Sequence, residues 1–234
     1  MNIAGIQKMT LLDYPGKVAC TVFLPGCNFR CPYCHNSELL SGSIEPVMTG
    51  ERLLKWLEKR KGLLDAVCVS GGEPTLQPEL EGLLRGIKAM GYLTKLDTNG
   101  TRPAVLRRLV EEGLVDYVAM DIKGSPVRYG DASGAAVDMA AIEESAGFLL
   151  AGTVDYEFRT TVVSQLHEES DFSAIGQWLQ QLSPGKKARR FFLQPFVDRD
   201  TVMFAGLSAP EDTALLRYVS LLAPYVEVSA LRGQ

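Results

Sequence analysis

Apolar runs of strand length alternate with amphipathic stretches of helix length along nearly the whole chain. No other feature limits its fold as much. Residues 18–24 read as a buried strand and residues 49–61 as a helix, with Thr49 as its cap and Leu53, Leu54 and Leu57 on one face. Further strand–helix pairs are expected at 65–70 and 78–90, 92–98 and 103–112, 115–122 and 138–150, 156–163 and 170–182, and 190–194 and 210–222. Pro78 suits a helix start and Gly91 a helix end. Residues 225–228 add an edge strand, and residues 1–16 form a short extension before the first strand. Repeated strand–helix units imply parallel strands joined by right-handed crossovers. The expected fold class is therefore α/β, a partial (β/α)6 TIM-like barrel with parallel strands. A flat doubly wound sheet remains open, because periodicity does not separate the two. In either, chemistry gathers at the C-terminal ends of the strands.

With 234 residues, 46% of them hydrophobic, the chain can bury one sizeable core, so a single domain over residues 1–234 is expected. The longest weakly structured stretch, residues 124–134, is too short for a linker. A net charge of −4 argues against a broad nucleic-acid surface. The densest basic cluster, Lys186, Lys187, Arg189 and Arg190, reads as a solvated loop before a strand. There is no signal-peptide layout and no apolar run long enough to span a bilayer, so a cytoplasmic protein without membrane contact is expected. Three of the five cysteines cluster, as metal ligands do, and a reducing compartment fits. Cys20 and Cys68 lie in apolar runs and read as buried strand residues.

The first strand runs into Cys27-Asn28-Phe29-Arg30-Cys31-Pro32-Tyr33-Cys34. Thiolates at C-x3-C-x2-C spacing can hold three corners of a cubane iron–sulfur cluster, leaving one iron for a small molecule. A structural zinc site with His35 as fourth ligand is the alternative reading of the same loop.

The other strand ends are also polar. The second leads into Ser70-Gly71-Gly72-Glu73, whose glycines let the backbone approach a ligand. The third ends at Asp97-Thr98-Asn99-Gly100, the fourth at Asp121-Ile122-Lys123 and the sixth at Gln194-Pro195, while the fifth carries Arg159. Each alone has an ordinary explanation as a turn, cap or ion pair. Together they suit one ligand. Glu73 could accept from an amine, Arg159 or Lys123 could pair with a carboxylate, and Asp97 or Asn99 could bind ribose hydroxyls. With a positive sulfonium, those are the pieces of S-adenosylmethionine.

These motifs resemble the radical S-adenosylmethionine superfamily. C-x3-C-x2-C with an aromatic residue, here Tyr33, before the last cysteine is its signature, and Gly71-Gly72-Glu73 is similar to its amino-group motif. Within it the chain looks most like the glycyl radical enzyme activases. Asp13-Tyr14-Pro15-Gly16-Lys17, Asp97-Thr98-Asn99-Gly100 and Asp121-Ile122-Lys123 resemble segments of pyruvate formate-lyase activating enzymes. Leu11 to Gly16, Phe23 to Cys27 and Cys31 to Asn36 look closest to anaerobic ribonucleoside-triphosphate reductase activating proteins.

The resemblance implies that Cys27, Cys31 and Cys34 hold a [4Fe–4S] cluster whose open iron chelates S-adenosylmethionine. Glu73 would hold the amine and Asp97 the ribose, with Lys123 and Arg159 on the carboxylate or ribose side. In the formate-lyase activases a monovalent cation lies beside this ligand; Asp97, Thr98 and Asp121 match its side-chain ligands, and the Ala119 carbonyl is a further candidate. The implied partners are a glycyl radical enzyme, foremost anaerobic ribonucleotide reductase, and flavodoxin or ferredoxin as electron donor. Residues 124–134 are a candidate contact for the partner's loop. One departure stands out: the histidine that follows the sixth strand in the formate-lyase activases is Val197 here, with Gln194 as a substitute. The rival readings are a small-molecule radical enzyme such as 7-carboxy-7-deazaguanine synthase and a non-catalytic metal-binding or electron-transfer module.

Overall fold

Strand-forming apolar runs and capped helices alternate as expected in the computed structural model, which describes residues 1–41 and 44–232. The chain packs as two units.

The first unit holds residues 1–28, 38–98 and 104–119. It begins with β1 (Asn2–Ile3) and β2 (Gly5–Thr10). The stretch expected to be a plain extension is thus partly strand, with β2 antiparallel to β3 (Ala19–Leu24). Only Thr10 of β2 is buried, so the strand carries no apolar alternation that would have marked it. β4 (Met48–Thr49) pairs with β1 and leads into α1 (Gly50–Glu58). Thr49 caps α1 by accepting from the Arg52 N–H at 3.3 Å, and Leu53 and Leu57 are fully buried. β5 (Ala66–Gly71) and β6 (Leu93–Thr98) continue the sheet in parallel from β3, with α2 (Leu80–Ala89) between them. α3 (Pro103–Glu111) leads to β7 (Tyr117–Asp121). Leu84, Ile87 and Leu109 are fully buried, and burying such a side chain stabilises by about 1.5–3 kcal/mol.

The second unit holds residues 29–37, 99–103 and 120–234. After the end of β7 come a short helix, α4 (Tyr129–Ser133), and α5 (Met139–Leu150), capped by the Asp138 carboxylate on the Ala140 N–H at 3.1 Å. β8 (Asp155–Val162), α6 (Glu169–Leu182), β9 (Ala188–Pro195), α7 (Asp212–Leu222) and β10 (Val226–Leu231) follow. β8, β9 and β10 are parallel neighbours in that order. Phe158 faces Phe191 across β8 and β9, and Phe172 of α6 stacks on Tyr218 of α7 at 4.5 Å. A Glu168–Asp171 capping box starts α6. No helix among the described residues is long and apolar enough to cross a membrane.

Candidate functional site

In the first unit the end of β3 passes through Pro25 and Gly26 to Cys27 against the turn that follows β5. The Gly72 N–H donates to the Leu24 carbonyl at 2.9 Å and the Glu73 N–H to the Gly26 carbonyl at 2.8 Å. This approach needs both glycines. Gly71 has φ +125°, and a Cβ there would lie 2.3 Å from the Leu24 oxygen. A Cβ on Gly72 would lie 2.1 Å from the Gly26 oxygen and 3.2 Å from the Cys27 Cβ. The Gln77 amide also donates to the Pro25 carbonyl at 2.6 Å. Glu73 is buried, and its Oε1 accepts from the Thr75 N–H at 3.0 Å, the Thr75 hydroxyl and the Thr98 hydroxyl at 2.8 Å. Three donors on one oxygen fix the orientation of the carboxylate. Asp97, two residues beyond the buried Lys95, is paired with the Lys95 ammonium.

The second unit carries Cys31 and Cys34, joined by a tight turn in which the Cys34 N–H donates to the Cys31 carbonyl at 3.1 Å. The preceding residue, Arg30, donates its N–H to the Ser133 carbonyl at 2.9 Å. Gly134, at φ +62°, comes so close that a Cβ would lie 2.1 Å from the Arg30 oxygen. The connection 124–134 is therefore largely packing: Tyr129, Ala132 and Ser133 are buried, and the Tyr129 hydroxyl donates to the Asp121 carbonyl at 3.3 Å. Val127 is the exposed tip of this connection.

Asp121 accepts from Arg159 at 2.9 Å on Oδ1 and from the Lys123 ammonium at 3.1 Å on Oδ2. Burial alone would lower the Lys123 ammonium, but Asp121, with Cys31 and Tyr33, holds it well above its usual value. Burial pushes the Cys31 thiol up, with Lys123 pulling the other way. The Asn99 side-chain oxygen accepts from the Thr101 N–H at 3.1 Å and the Thr101 hydroxyl at 2.7 Å, so it serves the turn after β6. Gln194 lies on β9 opposite Thr161.

Two histidines take positions that the sequence did not suggest. His167 is buried; its Nδ1 accepts from the Val163 N–H at 3.1 Å and its Nε2 donates to the Lys123 carbonyl at 2.8 Å, which fixes the chain beside Lys123. His35 stacks on Phe196 at 5.5 Å, and its Nε2 donates to the Val197 carbonyl at 2.7 Å. This bond fixes the ring and leaves Nδ1 as its other nitrogen. His35 places an imidazole against Phe196 and Val197, beside the position where the formate-lyase activases were expected to have a histidine.

The Radical SAM superfamily model matches residues 21–145, and the chain belongs to that superfamily. Within it, its relatives include glycyl-radical enzyme activases and also 7-carboxy-7-deazaguanine synthases, one of which, from Hyperthermus butylicus, is 34% identical over 49% of this chain. A Methanocaldococcus jannaschii protein provisionally named a glycyl-radical enzyme activating enzyme is 30% identical over 237 residues, 98% of this chain and 95% of that protein. The pyruvate formate-lyase-activating enzyme of Clostridium pasteurianum is 37% identical over 127 residues, and the match spans only 52% of each. Among solved structures, Streptococcus suis SuiB bound to precursor peptide SuiA matches with a TM-score of 0.72 at 12% identity, covering 91% of this chain and 48% of SuiB. A likeness at that identity shows the fold, and the fold class is the expected α/β type with parallel strands. The chain is thus a radical S-adenosylmethionine enzyme of the activating type, and the cofactors of this superfamily are a [4Fe–4S] cluster and S-adenosylmethionine.

The residues present fit these groups. Three thiols at the signature spacing are the soft donors an iron–sulfur cluster takes. The Tyr33 hydroxyl is buried without a hydrogen-bond partner among the described residues, which is costly unless a bound group meets it. Among the described residues no three His, Cys, Asp or Glu side chains are gathered closely enough to hold a metal ion by themselves. The cluster assignment therefore rests on thiol spacing, family membership and the glycine-dependent backbone around the loop.

Proposed function

We propose that this chain activates a glycyl radical enzyme, with anaerobic ribonucleoside-triphosphate reductase as the partner and flavodoxin or ferredoxin as the electron donor, in the cytoplasm. Cys27, Cys31 and Cys34 would hold the cluster. When bound, the cluster supplies the electron that cleaves the sulfonium of S-adenosylmethionine to methionine and a 5′-deoxyadenosyl radical, which takes a hydrogen from a glycine Cα. The chain's own residues bind and orient. Glu73, held on Oε1 by Thr75 and Thr98, offers its carboxylate to the amine. Lys123 and Arg159, both tied to Asp121, present positive charge to a carboxylate. Asp97 receives ribose hydroxyls, and Tyr33 offers its hydroxyl to the nucleoside. Gln194 lines the end of β9. Burial of Glu73, Tyr33 and Arg159 excludes water from the polar groups that face the ligand.

The observation that supports this reading best is the whole-length likeness to an activating enzyme, joined to a cysteine loop that only glycine at Gly72 and Gly134 allows to pack. The test is anaerobic. The protein is reconstituted with iron and sulfide, reduced with dithionite and given S-adenosylmethionine, with and without the reductase. The expected result is 5′-deoxyadenosine together with a glycyl radical signal on the reductase. 5′-Deoxyadenosine without that signal would overturn the partner. No 5′-deoxyadenosine from a verified, reducible cluster with the reductase present would overturn the activity.

A further inference from the structure

Lys95 sits in the middle of β6 with its side chain fully buried, and its ammonium pairs with Asp97 two residues on. Strand periodicity puts both on one face. On the adjoining strands Thr21 and Cys68 lie in register with Lys95. The Thr21 hydroxyl donates to Asp13, and the Tyr117 ring lies 6.0 Å from the ammonium. The Cys68 thiol is pushed up by burial and is therefore neutral. A buried ammonium is strongly disfavoured unless an anion faces it. Here the facing anion is Asp97, the carboxylate expected to bind ribose and, by family resemblance, to share a monovalent cation with Thr98. Thr98 is itself engaged, donating its hydroxyl to Glu73 at 2.8 Å.

We propose that the Lys95 ammonium is a built-in cation for Asp97. It supplies the charge balance that a bound sodium or potassium ion would otherwise give, and it orients the carboxylate for the ribose. Binding of the nucleoside is then independent of monovalent cations. An ammonium carries the same charge as these ions, is tethered to the strand that carries Asp97, and is not lost at low salt. Because the ammonium is fully buried and Asp97 is only 15% exposed, bulk salt screens the pair little. Lys95 acts through Asp97 and is a positioning residue. The inference rests on the proposed role of Asp97 as a ligand of S-adenosylmethionine.

The experiment compares wild type, Lys95→Met and Lys95→Ala in sodium, potassium and choline chloride at one ionic strength. Two quantities are read: S-adenosylmethionine affinity by calorimetry on the reconstituted protein, and the melting temperature without S-adenosylmethionine. Wild type should bind with the same Kd within about twofold in all three salts. Lys95→Met keeps the packing but loses the charge, and should bind about tenfold more weakly in every salt. Lys95→Ala leaves room beside Asp97. It should be weak and least stable in choline, and sodium or potassium should restore both affinity and melting temperature. Wild-type binding that requires sodium or potassium, or Lys95→Met that binds like wild type in choline, would overturn the proposal. A wild type that binds no S-adenosylmethionine in any salt would defeat the ligand assignment instead. The melting curves would then decide the cation role alone: it stands if only Lys95→Ala is stabilised by the small cations, and falls if wild type responds equally.

Discussion

Replacing Gly72 with alanine tests whether the turn after β5 holds Cys27 in place. The new Cβ would stand 2.1 Å from the Gly26 carbonyl oxygen and 2.6 Å from its carbon, where ordinary contact starts at 3.4 Å. The carbonyl must retreat by about 1.3 Å to reach that contact. It cannot do so freely, because it accepts the Glu73 N–H at 2.8 Å. Retreat breaks that bond and leaves a buried donor unpaired, which with the overpacking costs about 2–6 kcal/mol. At about 2–4 °C per kcal/mol for a chain of this size, the melting temperature should fall by about 5–20 °C. The Cys27 Cβ, 3.2 Å from the added methyl, is displaced with its carbonyl neighbour, so iron bound per protein should fall as well. Circular dichroism melting and iron and sulfide assays after anaerobic reconstitution read both effects. Gly82→Ala in α2 is the control: its Cβ meets nothing within 4 Å, and it should stabilise by about 0.5–1 kcal/mol. Gly72→Ala that melts with wild type and binds a full complement of iron would refute the reasoning.

Cys31→Ala should lose both cluster absorbance and 5′-deoxyadenosine formation, since two thiolates do not hold the cubane; full turnover by this variant would remove Cys31 as a ligand. Glu73→Ala should weaken S-adenosylmethionine binding by about tenfold or more with cluster absorbance largely intact, as expected for loss of a charge-assisted hydrogen bond. An unchanged titration would take Glu73 out of the binding set. Burial lowers the His167 pKa below its ordinary value. The unfolded chain therefore takes up this proton at higher pH than the folded one. The stability from the neutral ring is fully present above about pH 6.5 and is lost as pH falls through the folded value. Urea unfolding at pH 7.5 and 5.5 should show a smaller loss for His167→Gln than for wild type; equal losses would exclude His167 as a source of the acid sensitivity.

Most of the strand–helix order was legible because each element carried its own period. Thr49 and Asp138 marked two helix starts, and Leu53 and Leu57 marked a buried face. β2 was not legible because an exposed edge strand such as Gly5–Thr10 has no apolar alternation to read. The connection 124–134 was read as a candidate contact for the partner's loop; its packing was not legible, although Ala132 and Ser133 are buried and the Ser133 carbonyl accepts from the Arg30 N–H, because small side chains pack closely without an apolar signature. For Lys95 a signal was present and went unused: a lysine inside an apolar strand, one alternation before Asp97, implies an inward charge that needs a partner. His35 and His167 could not be placed, because their acceptors are backbone carbonyls far away in sequence, and a carbonyl leaves no mark on composition.

The tail of the cysteine loop has a bearing on when the protein can mature. His35 is bonded to Val197, the Thr201 hydroxyl donates to the His35 carbonyl at 2.7 Å, and the Ser37 hydroxyl donates to the Thr201 carbonyl. These partners are 162 to 166 residues apart in sequence. A ribosome that has just released Cys34 has not yet made the segment that fastens the loop. Until residue 201 has been made, the segment after Cys34 lacks these bonds. A chain truncated before Phe196 would keep the three cysteines of the loop but lack the bonds that tie the segment after Cys34.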